Sequence, residues 1–362
     1  MFVKSLELRN YRNYEKLHID FDSGTNVLYG DNAQGKTNIL ESIYVCATSK
    51  SHRGSKDKEI IHFNDEESHI KLFVDKKGVE TRIDMHLKKN KTKGIAIGGI
   101  PIRKASELFG NINVVFFSPE DLNIIKNGPS ERRRFLDMEL CQLDKIYTSG
   151  LVSYNKALNQ RNKLLKDVPF HPDYVDTLQV WDMQLVKFGC EVMKRRNQFV
   201  KELNGLISGI HKRLTGGREE IWISYEPDIN PENFEETLHL SREKDLKNRL
   251  TMRGPHRDDI LFIINGIDIR KYGSQGQQRS AALSLKLSEI EMIKKTTGES
   301  PILLLDDVLS ELDSRRQNHL LEGIQDIQTI ITCTGLDDFV NNHFSMNQIY
   351  HVVNGNVINE KQ

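Results

Sequence analysis

Gly30-Asp31-Asn32-Ala33-Gln34-Gly35-Lys36-Thr37 lies between an alternating apolar run ending in Val27-Leu28-Tyr29 and a Gly- and Pro-free stretch, Asn38-Ile39-Leu40-Glu41-Ser42-Ile43-Tyr44. Strand, glycine loop and helix follow one another, the context that the pattern G-x-x-x-x-G-K-T requires. Glycines let such a loop wrap closely, its backbone N–H groups converge on phosphate oxygens, and the following helix adds its positive end. Lys36 is expected to meet the β- and γ-phosphates and to serve catalysis, and the Thr37 hydroxyl to ligate Mg²⁺. The expected ligand of residues 30–37 is a nucleoside triphosphate, ATP with Mg²⁺.

Working outward, Pro301-Ile302-Leu303-Leu304-Leu305-Asp306-Asp307 reads as an apolar strand that ends in two carboxylates. Ligands of a parallel sheet gather at the carboxyl ends of its strands. Asp306 is therefore the candidate second metal residue, and Asp307 the candidate to orient or deprotonate an attacking water. Lys36 and Asp306 are 270 residues apart, far more than one compact nucleotide domain places between these elements. A split head is implied, made of residues 1–129 and 251–362, with an inserted and mainly helical arm at 130–250. Tyr272-Gly273-Ser274-Gln275-Gly276-Gln277-Gln278-Arg279 reads both as a helix cap and as a second anion seat.

The intervening patterns set the fold class as α/β. Val3, Leu6, Leu8, Leu17, Ile19 and Phe21 alternate as half-buried strands, and several short alternating runs between Ile70 and Ile102, with Gly98-Gly99 as a turn, predict an antiparallel β appendage. From Leu136 to Leu165 and from Leu178 to Ile210 apolar residues recur in steps of three and four, which predicts two long helices of about thirty residues and ~45 Å, a stubby antiparallel arm. Asn265-Gly266 marks a hairpin, and the last hundred residues alternate helix and strand, the signature of a mostly parallel sheet.

At 362 residues the chain exceeds a single core, so two or more packed units are expected. Lys plus Arg and Asp plus Glu both number 51, which excludes a general positive field and confines any nucleic-acid contact to local patches. Those patches are Lys88 to Lys93, Arg132 to Arg134 and Lys194 to Arg196. Cys46, Cys141, Cys190 and Cys333 form no CxxC pair, against a disulfide framework or a cysteine zinc site. No signal-like or membrane-length apolar stretch occurs, so a cytoplasmic location is expected. His62, His69 and His86 show no metal spacing along the chain and read as surface residues.

Together these features resemble the ATP-binding-cassette heads of chromosome-maintenance and DNA-repair ATPases, the RecF family in particular. The resemblance rests on Leu8-Arg9-Asn10-Tyr11-Arg12-Asn13-Tyr14, the glycine loop with Asn38, Thr48-Ser49-Lys50-Ser51-His52-Arg53, Arg253-Gly254-Pro255-His256-Arg257-Asp258-Asp259, Gly273 to Gln277 and Leu303 to Asp313. It implies a two-lobed ABC-type head with an inserted helical lobe, ATP-driven homodimerisation and weak, DNA-stimulated ATP hydrolysis. It also implies a role in gap repair, DNA replication and the SOS response, acting with RecO and RecR to load RecA on single-stranded DNA. By the same resemblance Ser274, Gly276 and Gln277 would touch the γ-phosphate held by the opposite subunit, and Asp313 would belong to a loop that communicates across the dimer. Departures from the wider cassette pattern are Gly273, Gln275, Asp307 in place of Glu, and Thr332-Cys333-Thr334 where a switch histidine stands. The 270-residue gap disfavours a transporter subunit, and the short arm without CxxC disfavours a long-armed cohesion ATPase. A scaffold that binds ATP without hydrolysing it stays open.

Overall fold

The structure is a computed structural model that describes residues 1–324, 326–336 and 346–360. The chain forms two compact units, Met1–Asp121 with Leu285–Gln362, and Leu122–Ser284.

In the first unit the opening alternation becomes β1 (Phe2–Tyr11) and β2 (Tyr14–Asp20). With β4 (Glu67–Lys76), β5 (Val79–Lys88), β6 (Lys91–Ile97) and β7 (Ile100–Pro101) they form an antiparallel sheet of order β2-β1-β4-β5-β6-β7. Ile70, Leu72 and Val74 of β4 and Ile83, Met85 and Leu87 of β5 are buried. A one-residue slip would turn this whole set to solvent, so the register is firmly held. The second sheet has the order β15-β14-β3-β13-β12-β8. In it β3 (Thr25–Tyr29), β8 (Val114–Phe117), β12 (Ile302–Asp306), β13 (Thr329–Cys333) and β14 (Gln348–Val353) run parallel, and β15 (Asn356–Asn359) closes the edge antiparallel. Helix α1 (Lys36–Thr48) touches strands of both sheets. Ile39, Leu40, Ile43, Val45, Cys46 and Ala47 are all buried, as suits a helix covered on more than one side. The short α2 (Asp57–Ile60) and α10 (Ser314–Gly323) complete this unit.

The second unit contains α3 (Leu122–Lys126), α4 (Pro129–Leu143), α5 (Lys145–Asp167), α6 (Tyr174–Thr215), α7 (Phe234–Asn248) and α8 (Ile269–Tyr272). A three-stranded sheet accompanies them, β9 (Ile221–Glu226), β10 (Asp259–Ile264) and β11 (Ile267–Asp268), in the order β11-β10-β9. Residues 251–284 sit in this unit because β10 pairs with β9. The division at 284/285 falls inside α9 (Gln275–Thr297). The period from Leu136 to Leu165 suggests one helix, yet Asp144 divides it: its carboxylate accepts the N–H groups of Ile146 and Tyr147 and starts α5. Helix α6 runs 42 residues, about 63 Å at 1.5 Å per residue, longer than the ~45 Å expected. No helix among the described residues is long and apolar enough to cross a membrane.

Candidate functional site

The loop between β3 and α1 depends on its glycines. Gly30 has φ 145° and Gly35 φ 113°. A Cβ at Gly30 would stand 2.4 Å from the Val352 carbonyl oxygen, and one at Gly35 2.5 Å from Asn13 Nδ2, so both the dihedral and the space exclude a side chain. Two turns pin the loop from outside. Asn13, between β1 and β2, donates its amide to the Gln34 carbonyl at 3.0 Å and accepts from Asn38 at 2.8 Å. Asn354, between β14 and β15, donates its N–H to Gln34 Oε1 at 2.6 Å.

Lys36 is 4% exposed, and its ammonium donates to the carbonyls of Gly30 (2.6 Å) and Asp31 (2.9 Å). Among the described residues no carboxylate pairs with it, and a buried cation held by neutral carbonyls alone favours an incoming anion. The Tyr14 hydroxyl, buried and without a hydrogen-bond partner, lies 2.7 Å from the Gly35 Cβ position. An unsatisfied donor under the loop, a glycine cradle and an unneutralised ammonium together fit a triphosphate.

The structure brings the early and late motifs into contact. Thr37 Oγ1 donates to Asp306 Oδ1 at 2.7 Å, and Thr332 Oγ1 donates to the same oxygen at 2.8 Å. Burial raises the Asp306 carboxyl above its ordinary value, against the two hydroxyls that hold it down. A buried carboxylate beside a threonine hydroxyl is a hard-oxygen pair suited to Mg²⁺. Asp307 takes φ 52°, and its N–H donates to Thr332 Oγ1 at 3.0 Å. With Ser310, Thr332, Cys333 and Thr334 it lines a small open cavity of about 160 Å³. Thr332 was not among the candidate site residues: the sequence marks Thr332-Cys333-Thr334 only as lacking a switch histidine, and the pairing of β13 with β12, Asp306 opposite Thr332, is what brings its hydroxyl to the carboxylate.

Behind the loop, Glu41 of α1 is fully buried and accepts Arg12 through both carboxylate oxygens at 2.8 and 2.7 Å and Ser51 Oγ at 2.5 Å. Burial would raise its carboxyl, but these donors outweigh it and hold the group below the ordinary value. This ties two stretches picked out by resemblance, Tyr11-Arg12 and Ser51, to the helix that carries Lys36 and Thr37.

Ser274, Gly276 and Gln277 belong to the second unit, at the start of α9. Ser274 Oγ accepts the Gln277 N–H at 3.2 Å and the Ser274 N–H donates to Gln277 Oε1 at 3.0 Å, a reciprocal helix cap. Within the basic patches of this unit, Arg132 and Arg196 need correction as nucleic-acid contacts, whereas Arg134 and Lys194 are exposed. Arg132 is buried and pairs with Asp259 at 2.6 Å; Arg196 is buried against Asp137 (2.7 Å) and Asp258 (2.9 Å); Arg195 pairs with Glu191 at 2.5 Å and with Asp144. Successive helical residues point ~100° apart, so a run of three on a packed helix turns at least one inward. The block Arg253 to Asp259 is the counterpart of these arginines. Within it, Nε2 of His256 donates to the Thr251 carbonyl at 3.0 Å, leaving Nδ1 to accept the Tyr154 hydroxyl at 2.7 Å. Gly254 leaves room for that hydroxyl, which a Cβ would meet at 2.5 Å.

Comparison with known proteins agrees with this geometry. Residues 2–357 match the family described as RecF/RecN/SMC N terminal domain. The chain is 64% identical to the DNA replication and repair protein RecF of Lachnospira eligens, over 99% of this chain and all of that one, and 62% identical to RecF of Agathobacter rectalis over 99% of both. A solved structure of "the recombination mediator protein RecF-ATP in RecFOR pathway" superposes with a TM-score of 0.93 at 36% identity, covering 99% of this chain and 98% of the other. The Smc head domain from Pyrococcus furiosus, 17% identical with a TM-score of 0.57 over 99% and 96% of the two chains, shares the fold. The chain belongs to the RecF family of DNA replication and repair proteins, built on an ABC-type ATPase head.

Proposed function

We propose that this chain binds ATP with Mg²⁺ on residues 30–37 and, as an ATP-dependent homodimer, closes on DNA at gaps to support RecA loading together with RecO and RecR. The observation that carries the reading is the 2.7 Å bond from Thr37 to Asp306, which joins the glycine loop to the acidic strand across 269 residues of sequence. In this reading the loop from Gly30 to Gly35 cradles phosphate oxygens and Lys36 turns from the Gly30 and Asp31 carbonyls to the β- and γ-phosphates. Thr37 and Asp306 hold the metal, which when bound neutralises phosphate charge. Asp307, beside the small cavity, orients or deprotonates water. Asp307 in place of a glutamate, and Thr332-Cys333-Thr334 in place of a switch histidine, support slow turnover. The RecFOR pathway named for the ATP-bound relative supports RecO and RecR as partners, and Ser274, Gly276 and Gln277 are the candidates to meet the γ-phosphate of a second copy.

Solution mass measured with and without ATP, and with gapped or duplex DNA, tests the reading: a monomer that becomes a dimer only with nucleotide, and shifts again with DNA, is the expected result. A mass indifferent to ATP would refute the dimer switch. Phosphate release with and without DNA separates a weak ATPase from a scaffold that binds ATP unchanged.

A further inference from the structure

We propose that Glu67, His69 and His86 form a zinc site on the outer face of the antiparallel sheet. Glu67 and His69 share one face of β4 and His86 stands on β5, a spacing that matches no contiguous metal motif, but β4 and β5 pair antiparallel with His69 directly opposite His86 and Glu67 opposite Lys88. The register that creates this pairing is held by the other face, where Ser68, Ile70, Met85 and Leu87 are buried. The site is therefore preorganised by the core, not by the ligands themselves.

The ligand atoms are close enough for one ion. One nitrogen or oxygen from each residue lies within 4.8 Å of the others. The imidazoles are stacked with centroids 4.0 Å apart and planes 23° from parallel. His86 Nε2 is 2.9 Å from Glu67 Oε2, and His69 Nε2 is 3.8 Å from Glu67 Oε1. Ligands about 2.0–2.1 Å from a tetrahedral zinc stand roughly 3.3 Å apart, a value the two distances bracket. To aim their in-plane lone pairs at one ion the two half-buried imidazoles must turn out of their stack, while the exposed Glu67 carboxylate closes from the side. Two imidazoles and one carboxylate are a donor set that suits zinc over calcium or magnesium, which prefer all-oxygen shells. Three protein ligands leave one position for water, and His69 also lines an open groove of about 790 Å³ with Arg9, Lys16, His18 and Lys71, so solvent reaches the site.

The surroundings set the strength. Lys88 Nζ is 3.7 Å from Glu67 Oε2, an ammonium that competes for the same carboxylate and repels a cation. The site is accordingly weaker than a closed four-ligand structural one, and removing Lys88 should tighten it.

The test uses the full chain, freed of metal by chelator and titrated with Zn²⁺, with Co²⁺ as an absorbance probe of histidine ligation. Wild-type protein should bind one ion per chain at this site. His69→Gln and His86→Gln should each weaken that ion by tenfold or more, Lys88→Met should tighten it by about fivefold, and His62→Gln should leave it unchanged. Metal-free melting curves that match wild type show that the variants fold. Equal Zn²⁺ binding in wild type and in the double variant His69→Gln/His86→Gln would overturn the site, as would a Co²⁺ spectrum that does not respond to His86→Gln.

Discussion

Lys36 illustrates what a single side chain reveals. Its ammonium is buried and held by two backbone carbonyls. Lys36→Ala should lower ATP affinity at least tenfold, since charge-assisted bonds contribute about 1.5–3 kcal/mol each; a nucleotide titration showing unchanged affinity would refute its assigned place. Thr332 offers a complementary case, because its hydroxyl donates to Asp306 and accepts from the Asp307 N–H. Thr332→Val keeps the shape and removes both bonds, and should cost about 1–3 kcal/mol in denaturant unfolding. Lys36 and Thr37 were legible in sequence because their pattern is contiguous and its chemistry local. Thr332, Tyr14 and Asn13 stood only inside stretches quoted for the resemblance or its departures, with no role attached, since each meets the loop or Asp306 from a strand or turn far from it in sequence.

Among elements, the helices of the second unit are joined by buried charge more than by their apolar stripes suggest. Arg161 pairs with Asp182 at 2.5 Å and Asp245 at 2.6 Å, and Arg196 with Asp137 and Asp258. In sequence Arg132 and Arg196 stand in basic runs that read as local nucleic-acid patches, because the acids that answer them, Asp259 for Arg132 and Asp137 and Asp258 for Arg196, lie 59 to 127 residues away. His256 belongs to the same ties, and burial, with Arg257 and Arg133 nearby, pushes its imidazole down to about 4 from the ordinary 6.5, against the opposing Thr251 and Asp228. A histidine held neutral in the fold contributes stability that is complete above pH 6.5 and is lost as pH falls towards 4, on the order of 3 kcal/mol in all. Unfolding free energies of wild type and His256→Gln should therefore converge as pH drops through this window. Curves that stay parallel would show that the histidine does not titrate with folding. Element types were legible where the period was long, as in α5 and α6. The break at Asp144 was hidden because its flanks keep the same helical phase.

For the whole molecule, two copies are required by the proposed γ-phosphate contacts of Ser274, Gly276 and Gln277. Ser274→Arg puts a large cation on an exposed helix start, so it should spare ATP binding and abolish nucleotide-dependent dimers in sedimentation; dimers of wild-type abundance would count against the composite site. The split of the head was legible from the distance between Lys36 and Asp306, whereas the extent of the inserted unit depends on the pairing of β9 with β10, which short patterns do not specify.

Strand β3, which feeds the glycine loop, has β13 on one side and β14 on the other, both from the last tenth of the chain. During synthesis the emerging polypeptide must hold this strand unpaired at its sheet edges until about three hundred further residues have been made, the slow case for non-local pairing. Ribosome-stalled fragments ending before Thr329 should thus remain unable to retain nucleotide, and a chaperone that shields exposed strand edges would act on β3 until Thr329–Cys333 has emerged.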